Sequence, residues 1–192
     1  MLNTSIEKPF PARVGEVEIS PTGGTQAYVQ PRWYAAYTSA NHEKKAAAEI
    51  SRRGVESFLP LYRAIRRWSD RRVKLELPLF PGYVFVHLAL RERLRVLQVP
   101  GVAKLVGFGG SPAALPDEQV EALRAGLAGR LHAEPHPFLT AGRRVRVKTG
   151  PLQGLEGFVV RRKNSLRLVI SLDLIQRAAA VEIDEADVEP MQ

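Results

Sequence analysis

Four histidines, His42, His87, His132 and His136, are the side chains best placed for proton transfer or metal ligation near neutral pH. Only His132 and His136 stand at a ligand-like spacing, four apart with Glu134 between them, and Pro135 and Pro137 interrupt that stretch. With no cysteine in the chain, a zinc set is not completed there. No phosphate-binding loop, Gly-x-Ser-x-Gly elbow or dinucleotide fingerprint occurs, and Gly107-Phe108-Gly109-Gly110 reads as a turn. Asp184, Glu185, Asp187 and Glu189 read as a solvated acidic edge. The expectation is no catalytic residue, no metal and no cofactor. The chemistry on offer is instead that of cations. Arg63, Arg66, Arg67, Arg71, Arg72 and Lys74 crowd around Trp68, where guanidinium groups track phosphates and a ring stacks on a base. An ordinary solubilising hairpin tip explains the same residues equally well. Lys45, Glu49 and Arg52 fall on one helical stripe at spacings of four and three, with Arg53 alongside. That face suits either phosphate and base contacts or an internally salt-bridged, solvated surface.

The net charge of +8 and an isoelectric point near 10.1 favour a polyanionic partner, and its location says more than its size. Lys plus Arg minus Asp plus Glu is 2 − 3 = −1 over residues 1–31, 17 − 9 = +8 over 32–131 and 9 − 8 = +1 over 132–192. Any nucleic-acid contact therefore belongs to the middle segment, and the C-terminal segment has another task. No apolar run approaches the roughly 20 residues that cross a bilayer, and no signal peptide is evident, so no membrane partner is expected and the cytoplasm is the expected compartment.

Positioning these residues takes two units. Residues 1–31, with Pro9, Pro11, Pro21, Gly23, Gly24 and Pro31 and no sustained periodicity, are expected to be a disordered tail. From Arg32 to 131, strands alternate with helices. Trp33 to Tyr37 is a strand, a helix runs from about His42 to Arg53 and stops at Gly54, and Phe58 to Tyr62 is strand-like. Ala64–Trp68 and Val73–Leu77 form a hairpin turning at Ser69-Asp70. Tyr83–Leu88 and Val102–Phe108 are strands, and Pro116-Asp117-Glu118 opens a helix with Val120, Leu123 and Leu127 on one face. The pattern predicts an α/β sandwich of one sheet and a helical layer. Residues 132–139 are expected to be a stiff, proline-containing linker.

Residues 140–192 carry about five short strands at barrel-like spacing. The opening strand Arg143–Val147 alternates basic and apolar residues, and Gly150, Gly154 and Gly157 punctuate the turn that returns it through Phe158 to Val160. Such a hairpin is built for contacts.

With both units placed, the chain resembles the NusG family of transcription elongation factors, including specialised members such as RfaH, over about residues 32–190. The resemblance rests on Trp33-Tyr34, on Leu79-Phe80-Pro81-Gly82-Tyr83-Val84-Phe85-Val86, on Pro100-Gly101-Val102 followed by Val106-Gly107-Phe108-Gly109-Gly110, on the KOW-like opening hairpin, and on Arg177-Ala178-Ala179-Ala180-Val181-Glu182-Ile183. It implies an α+β fold: a ferredoxin-like α/β sandwich that binds the β′ clamp helices of bacterial RNA polymerase, then a small SH3-like barrel that recruits a second factor. Family pattern assigns Tyr37, Phe80, Pro81, Tyr83 and Phe85 to the polymerase-facing patch, with core packing the competing reading for Phe85. It assigns Glu49, Arg52 and Arg53 to non-template DNA, and Leu152, Leu155 and Ile175 to a barrel surface for NusE, a ribosomal protein, or for Rho. The implied function is a non-enzymatic, operon-specific factor that modulates pausing and termination. A general NusG coupling polymerase to Rho or the ribosome, and a ribosomal-type RNA-binding KOW protein, are the alternatives.

Overall fold

Residues 28–68, 71–129, 132–136, 143–162 and 165–191 are described by the structure, a computed structural model. The expected tail up to residue 27 and the hairpin turn at Ser69-Asp70 lie outside them. The N-terminal unit is built on strand β1 (Arg32–Thr38), whose residues Trp33 to Ala36 are all buried, so both faces of this strand are covered. Helix α1 (Glu43–Arg52) follows and buries Glu43, Ala46 and Ile50, a spacing of three and four that marks one helical face. Strands β2 (Glu56–Phe58), β5 (Tyr83–Leu88) and β6 (Val102–Leu105) complete an antiparallel sheet in the order β2-β5-β1-β6.

On one face of this sheet, Tyr34, Ala36, Val84 and Val86 pack with Ala46 and Ile50 of α1 and with Val96 of the short helix α2 (Leu94–Leu97). On the other, Trp33, Ala35 and Phe85 pack with Val120 and Leu123 of helix α3 (Asp117–Ala128). Trp33 satisfies its ring N–H on Glu121 at 2.9 Å, and the Arg124 guanidinium lies 4.9 Å from its centroid. Two features stand off the sheet. Strands β3 (Leu61–Trp68) and β4 (Arg71–Pro78) pair only with each other, and a two-residue ladder joins β7 (Gly107–Phe108) to β8 (Ser111–Pro112). The β3–β4 ribbon is longer at both ends than the alternation alone suggested, because Pro60 separates β2 from β3 and the ladder runs on to Leu61 opposite Pro78.

The C-terminal unit is an antiparallel sheet of β10 (Arg143–Val147), β11 (Glu156–Arg162), β12 (Ser165–Leu172), β13 (Arg177–Ile183) and β14 (Val188–Pro190), the five strands expected of an SH3-like barrel. Gly157 is needed where β11 meets β12, since a Cβ there would sit 2.5 Å from the Val169 carbonyl oxygen. A sixth strand was not expected. Ala133–His136, within the predicted linker, is β9 and pairs antiparallel with the edge of β13. Pro135 is admissible there because an edge strand has one unpaired side. The Arg167 guanidinium ties the three strands together, reaching Glu134 of β9 and, at 3.2 Å, Glu182 of β13. One apolar cluster extends through both units, from Trp33, Leu79, Phe80 and Phe85 to Val145, Leu152, Leu155, Leu168 and Ile175. No described helix is long and apolar enough to cross a membrane.

Candidate protein and nucleic-acid interfaces

The turn Phe80-Pro81-Gly82-Tyr83 is held from three sides. Gly82 adopts φ +86°, where a side chain is strained, and a Cβ there would also press within 3.3 Å of the Tyr37 ring. Its N–H donates to Glu43 Oε1 at 2.8 Å, and its carbonyl accepts from the Thr38 N–H at 2.8 Å. Glu43 is 4% exposed, a buried carboxylate in the first turn of α1 whose hydrogen-bond partner is this backbone N–H. The effect is to place Tyr83 directly across from Tyr37 in the β1–β5 register, ring centroids 5.5 Å apart. Tyr37 is 42% exposed, Tyr83 half-buried and Pro81 exposed, so these three form the surface of the turn. Glu43 escaped the sequence reading because nothing local marks it; only the tertiary approach of α1 to the turn does.

Phe80 and Phe85 sit differently. The proline-flanked loop suggested an exposed Phe80, but it is 1% exposed and meets Phe85, itself fully buried, edge-on at 5.7 Å. An aromatic edge over an aromatic face stabilises the core, which is why Phe80 turns inward although its loop lies at the surface. The pair underlies the Tyr37–Tyr83 surface and is not part of it.

The basic face of α1 is largely self-neutralised. Glu49 accepts from Arg53 at 3.1 Å and pairs with Arg52 one turn away, and Arg53 also donates to the Arg95 carbonyl. Lys45 is exposed on the same helix. The opening strand of the C-terminal unit behaves likewise, with Arg144 and Arg146 both on Glu156 at 3.0 and 2.7 Å, and that bond and charge hold Arg146 above the usual arginine range.

The hairpin is the reverse case. Its register sets Arg67 opposite Arg72, Ile65 opposite Lys74 and Arg63 opposite Glu76, with Arg66 opposite Val73 and Trp68 opposite Arg71. Arg67 and Arg72 therefore share one face, while Arg71 alternates to the other, so the four predicted arginines do not form a single patch. Arg63, Arg67, Arg71, Arg72 and Lys74 are exposed, and none pairs with an acid among the described residues.

Leu152, Leu155 and Ile175, expected to present an apolar surface, are 3%, 4% and 4% exposed. They are buried in the cluster that also contains Phe80, so core packing takes all three. His132 and His136 gather no metal set: among the described residues no group of three His, Cys, Asp or Glu could hold an ion.

The family model described as transcription termination factor nusG matches residues 31–124. Over 176 residues the chain is 30% identical to the transcription termination/antitermination protein NusG of Vibrio parahaemolyticus, covering 83% of this chain and 96% of that protein. Identity to the protein of the same name from Escherichia coli K12 is 29% over 175 residues, covering 82% and 95%. The chain belongs to the NusG family. A solved structure of Thermotoga maritima NusG, on domain interaction, shares the fold with a TM-score of 0.52 at 22% identity, covering 85% of this chain and 98% of that one.

Proposed function

We propose that this chain is an operon-specific elongation factor that docks on the β′ clamp helices of bacterial RNA polymerase and modulates pausing and termination. The observation that carries the reading is the Tyr37–Tyr83 pair, an exposed aromatic surface fixed by the Gly82 turn and the buried Glu43 carboxylate. Rigid aromatics provide large contact area at low entropic cost, as interface anchors do. Phe80, Pro81 and Phe85 support the pair, Pro81 at the surface and the two phenylalanines from below. The protein acts by binding in the cytoplasm and not by catalysis. Its basic N-terminal unit lies beside non-template DNA, and the concentration of positive charge there supports that placement. Recruitment of NusE, the ribosome or Rho by the C-terminal unit belongs to the same proposal, and it requires Leu152, Leu155 and Ile175 to leave the shared apolar cluster.

The test is co-sedimentation with purified polymerase alongside single-round transcription on templates with pauses and terminators. Tyr37→Glu is expected to weaken polymerase association at least about tenfold, as loss of an interface anchor does, with an unchanged melting temperature. Retained association and retained effect on pausing would remove this surface from the interface. Phe80→Arg is not a usable probe, since placing a charge in the core reports on folding.

A further inference from the structure

We infer that one face of the β3–β4 hairpin is a clamp for the backbone of double-stranded DNA. The inference deepens the reading of the N-terminal unit as the part that lies beside DNA. Alternation puts Arg63, Ile65, Arg67, Arg72, Lys74 and Glu76 on one face, all of them exposed. The other face carries Tyr62, Ala64, Val73 and Leu77, all half-buried, together with the exposed Leu75 and Arg71, and Tyr62 packs on the shared cluster. Near its root the ribbon thus lays this face toward the body, through Tyr62, and it holds the face of Arg67, Arg72 and Lys74 in solvent.

Three properties of the cationic side separate it from a solubilising surface. Arg67 and Arg72 are directly opposed, a like-charge pairing that destabilises a two-stranded ladder. Several arginines elsewhere are matched to acids, Arg52 and Arg53 to Glu49, Arg124 to Glu56, Arg144 and Arg146 to Glu156, and Arg167 to Glu134 and Glu182, and those without an acid among the described residues, such as Arg91, Arg93, Arg143 and Arg177, are not set directly opposite another cation. The hairpin face keeps its one acid, Glu76, at the root opposite Arg63, and Arg67, Arg72 and Lys74 form a distal cluster with no acid partner among the described residues. Between these cations Ile65 is 66% exposed, which a surface selected for solubility avoids.

The shape selects the ligand. A two-stranded ribbon fits the major groove of B-DNA, about 12 Å wide, whereas the A-form major groove of RNA is too deep and narrow to admit side chains. Side chains on one face repeat every two residues, about 6.6 Å, close to two base-pair steps of roughly 3.4 Å. Arg67, Arg72 and Lys74 are assigned to phosphates along the groove walls, with Ile65 against apolar base edges, and no Asn or Gln stands on this face to read adenine.

The experiment is fluorescence anisotropy of the full-length protein on a mixed-sequence DNA duplex, without polymerase, across a salt series. Arg67→Glu with Arg72→Glu is expected to weaken binding at least about tenfold and to flatten the log–log salt slope by about 2, since each lost phosphate contact removes roughly 0.9. Arg52→Glu with Arg53→Glu makes the same change of net charge on α1 and is expected to shift affinity less than about threefold. Arg67→Gln with Arg72→Gln relieves the like-charge pair, keeps the ribbon folded and is expected to lose the same salt slope. Equal losses from the hairpin and helix variants, an unchanged slope in the glutamine variant, or an RNA duplex bound as tightly as DNA would each overturn the assignment. Polymerase co-sedimentation of the same variants separates this outcome from the docking proposal: hairpin variants are expected to retain it, and Tyr37→Glu to lose it while still binding duplex.

Discussion

Helix α1 and the β3–β4 hairpin both display arginine, but α1 neutralises its own, whereas among the described residues the hairpin does not. On α1 the acid lies three and four residues from its partners, the spacing that brings side chains together on a helix, so Glu49 collects Arg52 and Arg53 without help from elsewhere. On the hairpin the geometry that creates neighbours is the cross-strand register, and it sets arginine against arginine. The same residue type therefore reads as structural surface in one place and as an open site in the other. Sequence spacing along a single element reveals the first case; only the pairing of two strands reveals the second.

That contrast can be broken at several points. The largest effect is expected on the α1 side at Glu43, whose carboxylate serves the turn and not the solvent. Glu43→Ala leaves the Gly82 N–H without its acceptor and is expected to cost about 2 kcal/mol, a fall in melting temperature of roughly 4 to 8 °C, which Glu43→Gln largely restores. Next comes a test within the hairpin. Arg71 lies on the face opposite Arg67 and Arg72, so Arg71→Glu is expected to reduce duplex affinity less than about threefold, well short of the loss from the paired variant. An equal loss would mean that net charge, and not the face, governs binding. The smallest effect is expected at Glu49. Glu49→Ala frees two guanidinium groups, so stability should change by less than about 1 kcal/mol while the salt slope of DNA binding steepens by up to about 2.

The N-terminal sheet was legible in large part because its strands are short apolar runs bounded by Pro and Gly, and α1 because its buried residues keep helical spacing. Tyr37 and Tyr83 were named through the family resemblance, and it is the β1–β5 register, not local sequence, that brings the exposed Tyr37 beside the half-buried Tyr83. What local pattern does not carry is the depth of a side chain beneath a loop. Phe80 follows a proline-containing stretch that reads as surface, yet its ring is taken up by Phe85 from the neighbouring strand. Leu152, Leu155 and Ile175 read as an apolar surface and are consumed by packing that involves residues far away in sequence. Residues 133–136 read as linker because Pro135 lies within them and Pro137 follows, and they become a strand because β13 has a free edge and Arg167 reaches Glu134 across it.

That sixth strand also fixes how far apart the two units can range. With Ala133 held in the sheet, four peptide links separate it from Gly129 at the end of α3, a span of at most about 14 Å at roughly 3.5 Å per residue. Were β9 to peel away, the leash would run from Gly129 to Arg143, fourteen links and about 50 Å. The effective concentration of the C-terminal unit near α3 would fall about sixfold, as roughly the −3/2 power of the leash length. Four residues of edge strand thus set the local concentration of one half of the protein around the other.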